Sequence, residues 1–400
     1  MLFGMFGGST LLSEIGRRLK ETEEDGTPRR LIHTEKRLSR NLNSDRLDEK
    51  ALYQRHLERS ATRLRASDGE DVVVAVDYTD FSKPRANLEH GMEHVCVCHD
   101  GSKNVQAPGY PVVQLEASLP GGNHLPIESY PFSFREPGFK SQPQTFLDRI
   151  AIAAPYVGKR AWWTFDRGFD SFRMFEGLDA LSLRWVIRLQ STARYPRWLR
   201  QADGTEGSCA ELANNLPCPY SLDIPRGRGR KRTTLRLTFG IVRITATRDN
   251  EAEKKDQIVP CDRSMVVVRG FGEQPLVMLA SEFNGLSRDA ALVIFNVYRR
   301  RWKAEEATRA AKDSRSWGIR LEDLRALKLR GIRRMALLAL LLYAFLTELR
   351  EDGKEAVADL ARAVQCFGPI PPDARYRMVR AIGNILDGLG VRELLRWRSG

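Results

Sequence analysis

The sequence predicts an α/β protein: a mixed sheet with helices on its faces, interrupted by a β-rich insertion and flanked by helical ends. Three observations carry this. Short apolar runs of strand length alternate with helical periods between residues 69 and 190. Short strands punctuated by Pro, Gly and basic residues fill 191–288. Apolar residues recur at three- and four-residue intervals toward both ends of the chain.

Taken in order, residues 1–68 read as a highly charged helical region, with helical periods from Leu11 to Leu19 and from Ser44 to Leu64. Its basic residues Arg29, Arg30, Lys36, Arg37 and Arg40 favour contact with DNA over a packing collar. Asp71-Val-Val-Val-Ala-Val76 is a buried-strand run that ends at Asp77. Two more strands follow, from Met92 to Cys98 and from Tyr110 to Ser118, bounded by the turn-forming Asp100-Gly101 and Pro120-Gly-Gly122. Residues 141–154 have a helical period. Ala161 to Phe165 is an apolar strand that ends at Asp166. A helix from Ser171 to Leu181 and a strand from Arg184 to Leu189 complete this part. Within 191–288 the strands are Thr234 to Phe239, Ile241 to Thr247, Ser264 to Val268 and Leu276 to Leu279. Residues 289–348 and the C-terminal region 349–400 return to helix.

A chain of 400 residues with 42% hydrophobic content can bury a sizeable core and divide into two or three domains. A net charge of +13 and a pI near 9.6 point to a polyanionic partner, nucleic acid before membrane surface. The longest apolar run, Met335 to Leu346, is shorter than the roughly 20 residues that span a bilayer and reads as a buried core helix. The apolar N-terminus lacks the basic start of a secretory signal. Six cysteines without framework spacing suit free thiols in a reducing cytoplasm. Cys96, Cys98 and His99, with His94 nearby, invite a zinc reading. Their alternation fits a strand with side chains on both faces better, and Cys209 and Cys218 are too far apart to complete a site.

Two basic features remain. The segment Arg226-Gly-Arg-Gly-Arg-Lys-Arg232 holds Arg226, Arg228, Arg230, Lys231 and Arg232 on a glycine-softened loop suited to phosphate contacts, with a solvated loop as the alternative. On the helix that follows, Tyr298, Arg301, Glu305 and Lys312 fall on one face. With 3.6 residues per turn they lie within roughly 60° of one another. Trp302 beside them reads as core packing. A solvated, salt-bridged face accounts for this helix taken alone.

The acids decide between those readings. Asp77 and Asp166 each follow a buried strand run, and Glu305 lies on the helix. Parallel strands ending on one edge bring the two aspartates together. Three carboxylates make an all-oxygen set that selects Mg²⁺ or Mn²⁺.

With these residues in place, the chain resembles the DDE transposases of bacterial insertion sequences, in the group with the Tyr-Arg-Glu-Lys (YREK) signature. Tyr298, Arg301, Glu305 and Lys312 match that signature at every spacing. Asp166-Arg-Gly-Phe169 matches the context of the second acid, and Asp77-Tyr-Thr79 that of the first. The acids are separated by 89 residues (166 − 77) and 139 (305 − 166), and the longer interval suits an insertion before the glutamate.

The resemblance implies an RNase H-like mixed-sheet catalytic core at 69–190 and 289–348, interrupted by the β-rich insertion domain at 191–288. It implies an enzyme that cleaves transposon ends and joins them to target DNA. Asp77, Asp166 and Glu305 would hold two Mg²⁺ or Mn²⁺ ions, and Tyr298, Arg301 and Lys312 would contact phosphates near the cleaved end. The implied partners are double-stranded DNA, as terminal inverted repeats and target, and a second copy of the chain when DNA is bound. No membrane is implied, and the setting is the bacterial cytoplasm, at the nucleoid when bound. Two other readings share these residues: a non-catalytic DNA-binding derivative, and a metal-dependent nuclease on the same fold.

Overall fold

The computed structural model describes residues 5, 10–19, 27–65, 71–82, 94–100, 105–118, 124–190, 197–226, 233–248, 257–312, 328–352, 377–379 and 381–384; at 82, 97–100, 105, 226, 303–312 and 351–352 it describes the backbone alone. In chain order the elements begin with three helices, α1 (Leu12–Leu19), α2 (Leu31–Asn43) and α3 (Glu49–Arg65). Four strands follow: β1 (Val73–Ser82), β2 (Cys96–Asp100), β3 (Val105–Ser118) and β4 (His124–Pro131). Next come α4 (Gln142–Val157), β5 (Trp162–Phe165), α5 (Phe172–Ala180) and β6 (Arg184–Arg188). The β-rich stretch holds β7 (Trp198–Gln201), β8 (Glu206–Ser208), α6 (Cys209–Asn215), β9 (Tyr220–Arg226), β10 (Thr233–Arg248), β11 (Ile258–Arg269) and β12 (Leu276–Ala280). Two long helices, α7 (Arg288–Lys312) and α8 (Leu329–Asp352), complete the order. The protein is thus mixed α/β; most of the expected strands and helices are present, β4, β7, β8, β9 and α6 come in addition, and most of the helical region expected over 349–400 lies outside the described residues.

The chain divides into two compact units. One comprises 1–67, 78–142 and 304–400; the other comprises 68–77 and 143–303. The divisions fall inside β1, after Asp77, and inside α7, after Lys303.

In the first unit β3 pairs antiparallel with both β2 and β4. The apolar run from Met335 to Leu346 lies within α8, as expected of a core helix. Met335, Ala336, Ala339, Leu342 and Leu346 are buried against Leu38 and Leu42 of α2 and against Tyr110 and Val112 of β3. Arg334, almost fully buried on α8, donates to the carbonyls of Leu42, Ser44 and Leu47 and to the Glu49 carboxylate. It therefore satisfies the Leu42 carbonyl in the last turn of α2, which helix geometry leaves without an internal donor, and the carbonyls of Ser44 and Leu47 just beyond it. Strand β4 was not foreseen: the polar His124 and Glu128 mask its pattern, yet both are buried. Among the described residues no helix is long and apolar enough to cross a membrane.

The second unit is built on a mixed sheet. β1, β5 and β6 are parallel, and β6 then pairs antiparallel with β12, which leads to β11, β10, β7 and β8 in turn; β9 also pairs with β10. The strands of 191–288 therefore continue the sheet of β5 and β6. The sequence reading split β10 in two at Gly240. The strand instead runs unbroken, and the glycine answers to packing: a Cβ there would run into the Pro217 carbonyl and the Leu216 side chain. One face of the sheet is covered by α7, which buries Ala291, Ile294, Phe295 and Tyr298 at helical spacing against Trp162, Val186, Phe239, Val266 and Met278.

Candidate active site

The site rests on register. Along the parallel pair β1 and β5 the partners run from Val73 with Trp162 to Val76 with Phe165. Between β5 and β6 they run from Trp162 with Arg184 to Phe165 with Ile187. The next position on each strand is Asp77, Asp166 and Arg188, and Arg188 in turn pairs with Met278 of β12. Neighbouring strands lie about 4.8 Å apart, and residues in one row share a face. That face is the one covered by α7. Two positions earlier, Ala75 of β1, Thr164 and Val186 keep the same parity as Val73 and Trp162, and Val73, Trp162 and Val186 pack with Tyr298. Both aspartates are half-buried.

Asp166 ends β5 with an extended backbone and caps a short 3₁₀ turn, Arg167–Phe169, by accepting from the Gly168 amide at 2.9 Å. The glycine is required by closeness. A Cβ on Gly168 would sit 3.1 Å from the Asp166 Oδ1. Phe169 anchors the turn, with its ring 4.9 Å from Phe146 and 5.3 Å from Phe165. The Asp-x-Gly-Phe pattern thus has a local account: a cap, a close approach and an anchor.

Tyr298 is wholly buried on α7. Burial raises its phenol pKa above the ordinary value; Arg301 and Arg188 oppose the shift and Asp166 adds to it. The hydroxyl is therefore neutral at working pH and within electrostatic reach of one acid and two guanidinium groups. The Arg301 guanidinium carbon lies 5.3 Å from the Tyr298 ring centre, and Arg301 is itself almost fully buried. Trp302 packs edge-on against Phe271, Phe295 and Tyr298, as core.

The structure thus brings Asp77 and Asp166 to one row, one position past the paired Val76 and Phe165, and sets Tyr298 within reach of Asp166 with Arg301 against the Tyr298 ring. Glu305 and Lys312 lie on α7, with side chains outside the described residues. Of the basic loop, Arg226 ends β9, while Arg228, Arg230, Lys231 and Arg232 lie outside the described residues. Arg188 was missed. Its signal was present: a charge closing an apolar strand run beside two acids that close theirs.

The donor chemistry suits a hard divalent cation. Two adjacent carboxylates, with oxygens from water or a phosphate, match the way Mg²⁺ is held. Among the described residues no three His, Cys, Asp or Glu side chains cluster as a metal site, and the side chains of Cys98 and His99 lie outside those residues. The described cysteines at 96, 209, 218 and 261 are free thiols.

Asp77 within β1 and Asp166 just past the end of β5 stand on neighbouring parallel strands of an α/β protein, on the face covered by α7. The chain belongs to the transposase DDE domain family, whose pattern matches residues 68–345. No curated protein matches it. Among solved structures it is similar to the piggyBac transposase in a cryo-EM structure of the synaptic complex with hairpin DNA. The identity is 12% and the TM-score 0.44, over 98% of this chain and 72% of that one, a likeness too distant to argue from.

Proposed function

We propose that this protein is a cut-and-paste transposase that cleaves transposon ends and joins them to target DNA, with Asp77, Asp166 and Glu305 as its acidic set. The observation that carries the reading is the shared row of Asp77 and Asp166 in a chain of the DDE family. Two carboxylates on neighbouring strands repel each other when both are ionised. A divalent cation between them relieves that repulsion, which gives the pair a use that two turn residues do not have. Glu305 is assigned by its match to the YREK spacing. On this reading 69–190 and 289–348 form an RNase H-like core and 191–288 its insertion.

Two bound Mg²⁺ or Mn²⁺ ions would supply activation of an attacking oxygen and stabilisation of a leaving one at phosphorus. The chain's own residues do the rest. Asp77 and Asp166 fix the place of the reacting phosphate on the sheet edge. Arg301 and Lys312 neutralise phosphate oxygens, Arg301 with its planar fork and Lys312 as a mobile point charge. Tyr298, being wholly buried, orients Arg301 and keeps a neutral hydroxyl near Asp166. Arg188 offsets the acid row from the next strand. The loop from Arg226 to Arg232 and the basic N-terminal helices grip DNA outside the site, and two copies of the chain pair the transposon ends.

The test is a cleavage and strand-transfer assay on inverted-repeat DNA with Mn²⁺. Asp77→Ala, Asp166→Ala and Glu305→Ala each abolish cutting while DNA binding persists. Nicking of transposon ends by Glu305→Ala overturns the assignment of that residue. Cut but never joined products identify a nuclease, and binding without cutting by the unaltered protein identifies a non-catalytic derivative.

A further inference from the structure

The turn that carries Asp166 is held from outside by a buried ion pair. Four residues after Asp166, Asp170 closes the 3₁₀ turn, its amide donating to the Arg167 carbonyl at 3.3 Å. The Asp170 carboxylate accepts from the Gln190 backbone amide at 2.8 Å, just past the end of β6. Its other oxygen accepts from Arg197 Nε at 3.0 Å and faces Arg197 Nη2 at 2.9 Å. Arg197 also donates to the Asp170 carbonyl at 3.1 Å and to the Arg248 carbonyl at the end of β10 at 3.2 Å. The side chains are 4% and 3% exposed. A third tie comes from Gln190, whose side chain donates to the Arg167 carbonyl at 3.4 Å. The Arg197 guanidinium lies 5.0 Å from the Phe175 ring, and its own carbonyl accepts from the Cys209 amide at 2.6 Å.

A buried ion pair is a poor route to stability, because desolvation offsets its attraction and apolar residues often do as well. What a guanidinium fork adds is direction. Asp166 needs direction. Among the described residues its carboxylate takes one amide hydrogen bond, from Gly168, which belongs to the same turn. The orientation of Asp166 therefore follows that of the turn, which is held by the Phe169 ring on one side and by Asp170 at its close. Arg197 enters from the β-rich stretch, immediately before β7, so the pair also ties that stretch to the acid row.

We infer that Asp170 and Arg197 are positioning residues that hold the Asp166 carboxylate at its place in the acid row, so that breaking the pair weakens divalent-cation binding and cleavage together. The inference rests on the reading of Asp166 as a cation ligand. Partners one step behind a ligand typically change metal affinity 10- to 100-fold when lost.

The experiment measures Mn²⁺ binding to the full-length protein by the loss of free-ion electron paramagnetic resonance signal, alongside the Mn²⁺ midpoint of cleavage, DNA affinity and melting temperature. Asp170→Asn and Arg197→Gln are expected to raise both Mn²⁺ midpoints about tenfold with DNA affinity kept within about twofold. Arg197→Lys, which keeps the charge and loses the fork, is expected between them and the unaltered protein. A fall in melting temperature with unchanged Mn²⁺ midpoints overturns the inference and leaves the pair a structural tie. If Asp170→Asn and Arg197→Gln do not fold, Arg197→Lys decides: an unchanged midpoint overturns the inference and a raised one supports it. Failure of the underlying reading looks different, since Asp166→Ala would then keep its Mn²⁺ binding and cleavage.

Discussion

Arg334 in the first unit and Asp166 in the second are both charged groups at the edge of a core, and they are treated in opposite ways. Four of the five Arg334 N–H donors are taken, by three carbonyls and one carboxylate, and the side chain is almost wholly buried. Among the described residues Asp166 takes one amide bond, within its own turn, and stands half-buried beside a second acid. A charge whose bonding capacity is filled from within the fold is scaffold. A charge left with spare lone pairs beside a like charge has capacity for something the fold does not provide.

The largest expected effect that sharpens this contrast is at the acid row. Loss of the cation ligands removes several kcal/mol of transition-state stabilisation. Asp77→Asn or Asp166→Asn should therefore lower cleavage about a thousandfold, read as product formed per minute. The same variants should keep or slightly raise stability to urea in the absence of cations, because one of two repelling charges is gone. A clear drop in stability would assign these acids to the scaffold instead.

Arg334→Met should behave in the reverse manner. It leaves three carbonyls and Glu49 without their donor, and breaking such a buried arrangement costs about 3–5 kcal/mol. Urea unfolding of the first unit reads this directly. Unchanged unfolding would remove the distinction drawn above.

A smaller effect is expected at Gly168. The methyl group of Gly168→Ala would meet the Asp166 Oδ1 at 3.1 Å, so the carboxylate shifts by a few tenths of an ångström. Misplacement by 1 Å can cost about a hundredfold, so a loss of about tenfold in cleavage is expected, with little change in melting temperature.

The smallest concerns His56, buried in the first unit with its Nε2 2.9 Å from the Pro126 carbonyl. Burial lowers its pKa, and the Pro126 contact and nearby Glu128 and Glu348 only partly oppose this. The unfolded chain thus takes up a proton more readily than the folded one. Its contribution is fully present above the unfolded pKa near 6.5 and declines as pH falls from there toward the lower folded value. Melting temperatures at pH 7.5 and 5.5 should differ less in His56→Gln than in the unaltered protein.

Much of this was legible in the sequence, because strand ends and helix faces are local properties. The run ending at Asp166 became β5, the run expected to end at Asp77 became the first half of β1, which continues to Ser82, and Met335 to Leu346 became the buried face of α8. What could not be read were facts of pairing. Arg188 joins the acid row only through the register of β5 with β6. The Asp170–Arg197 pair joins two segments whose pattern gives no sign of the other. β4 hid its strand character behind polar residues that the fold buries, and Gly240 looked like a break because a close approach and a chain end call for the same residue.

The register of β1 on β5 also says where this chain tolerates a change in length. Residues added after Ser82 and before Trp162, outside β1 and β5, leave Asp77 beside Asp166. A single residue inserted into Val73–Val76, or deleted from Trp162–Phe165, turns one aspartate to the opposite face of the sheet and separates the pair. Eight residues therefore carry the length constraint of the site, and insertions accepted within them should be confined to copies that no longer cut DNA.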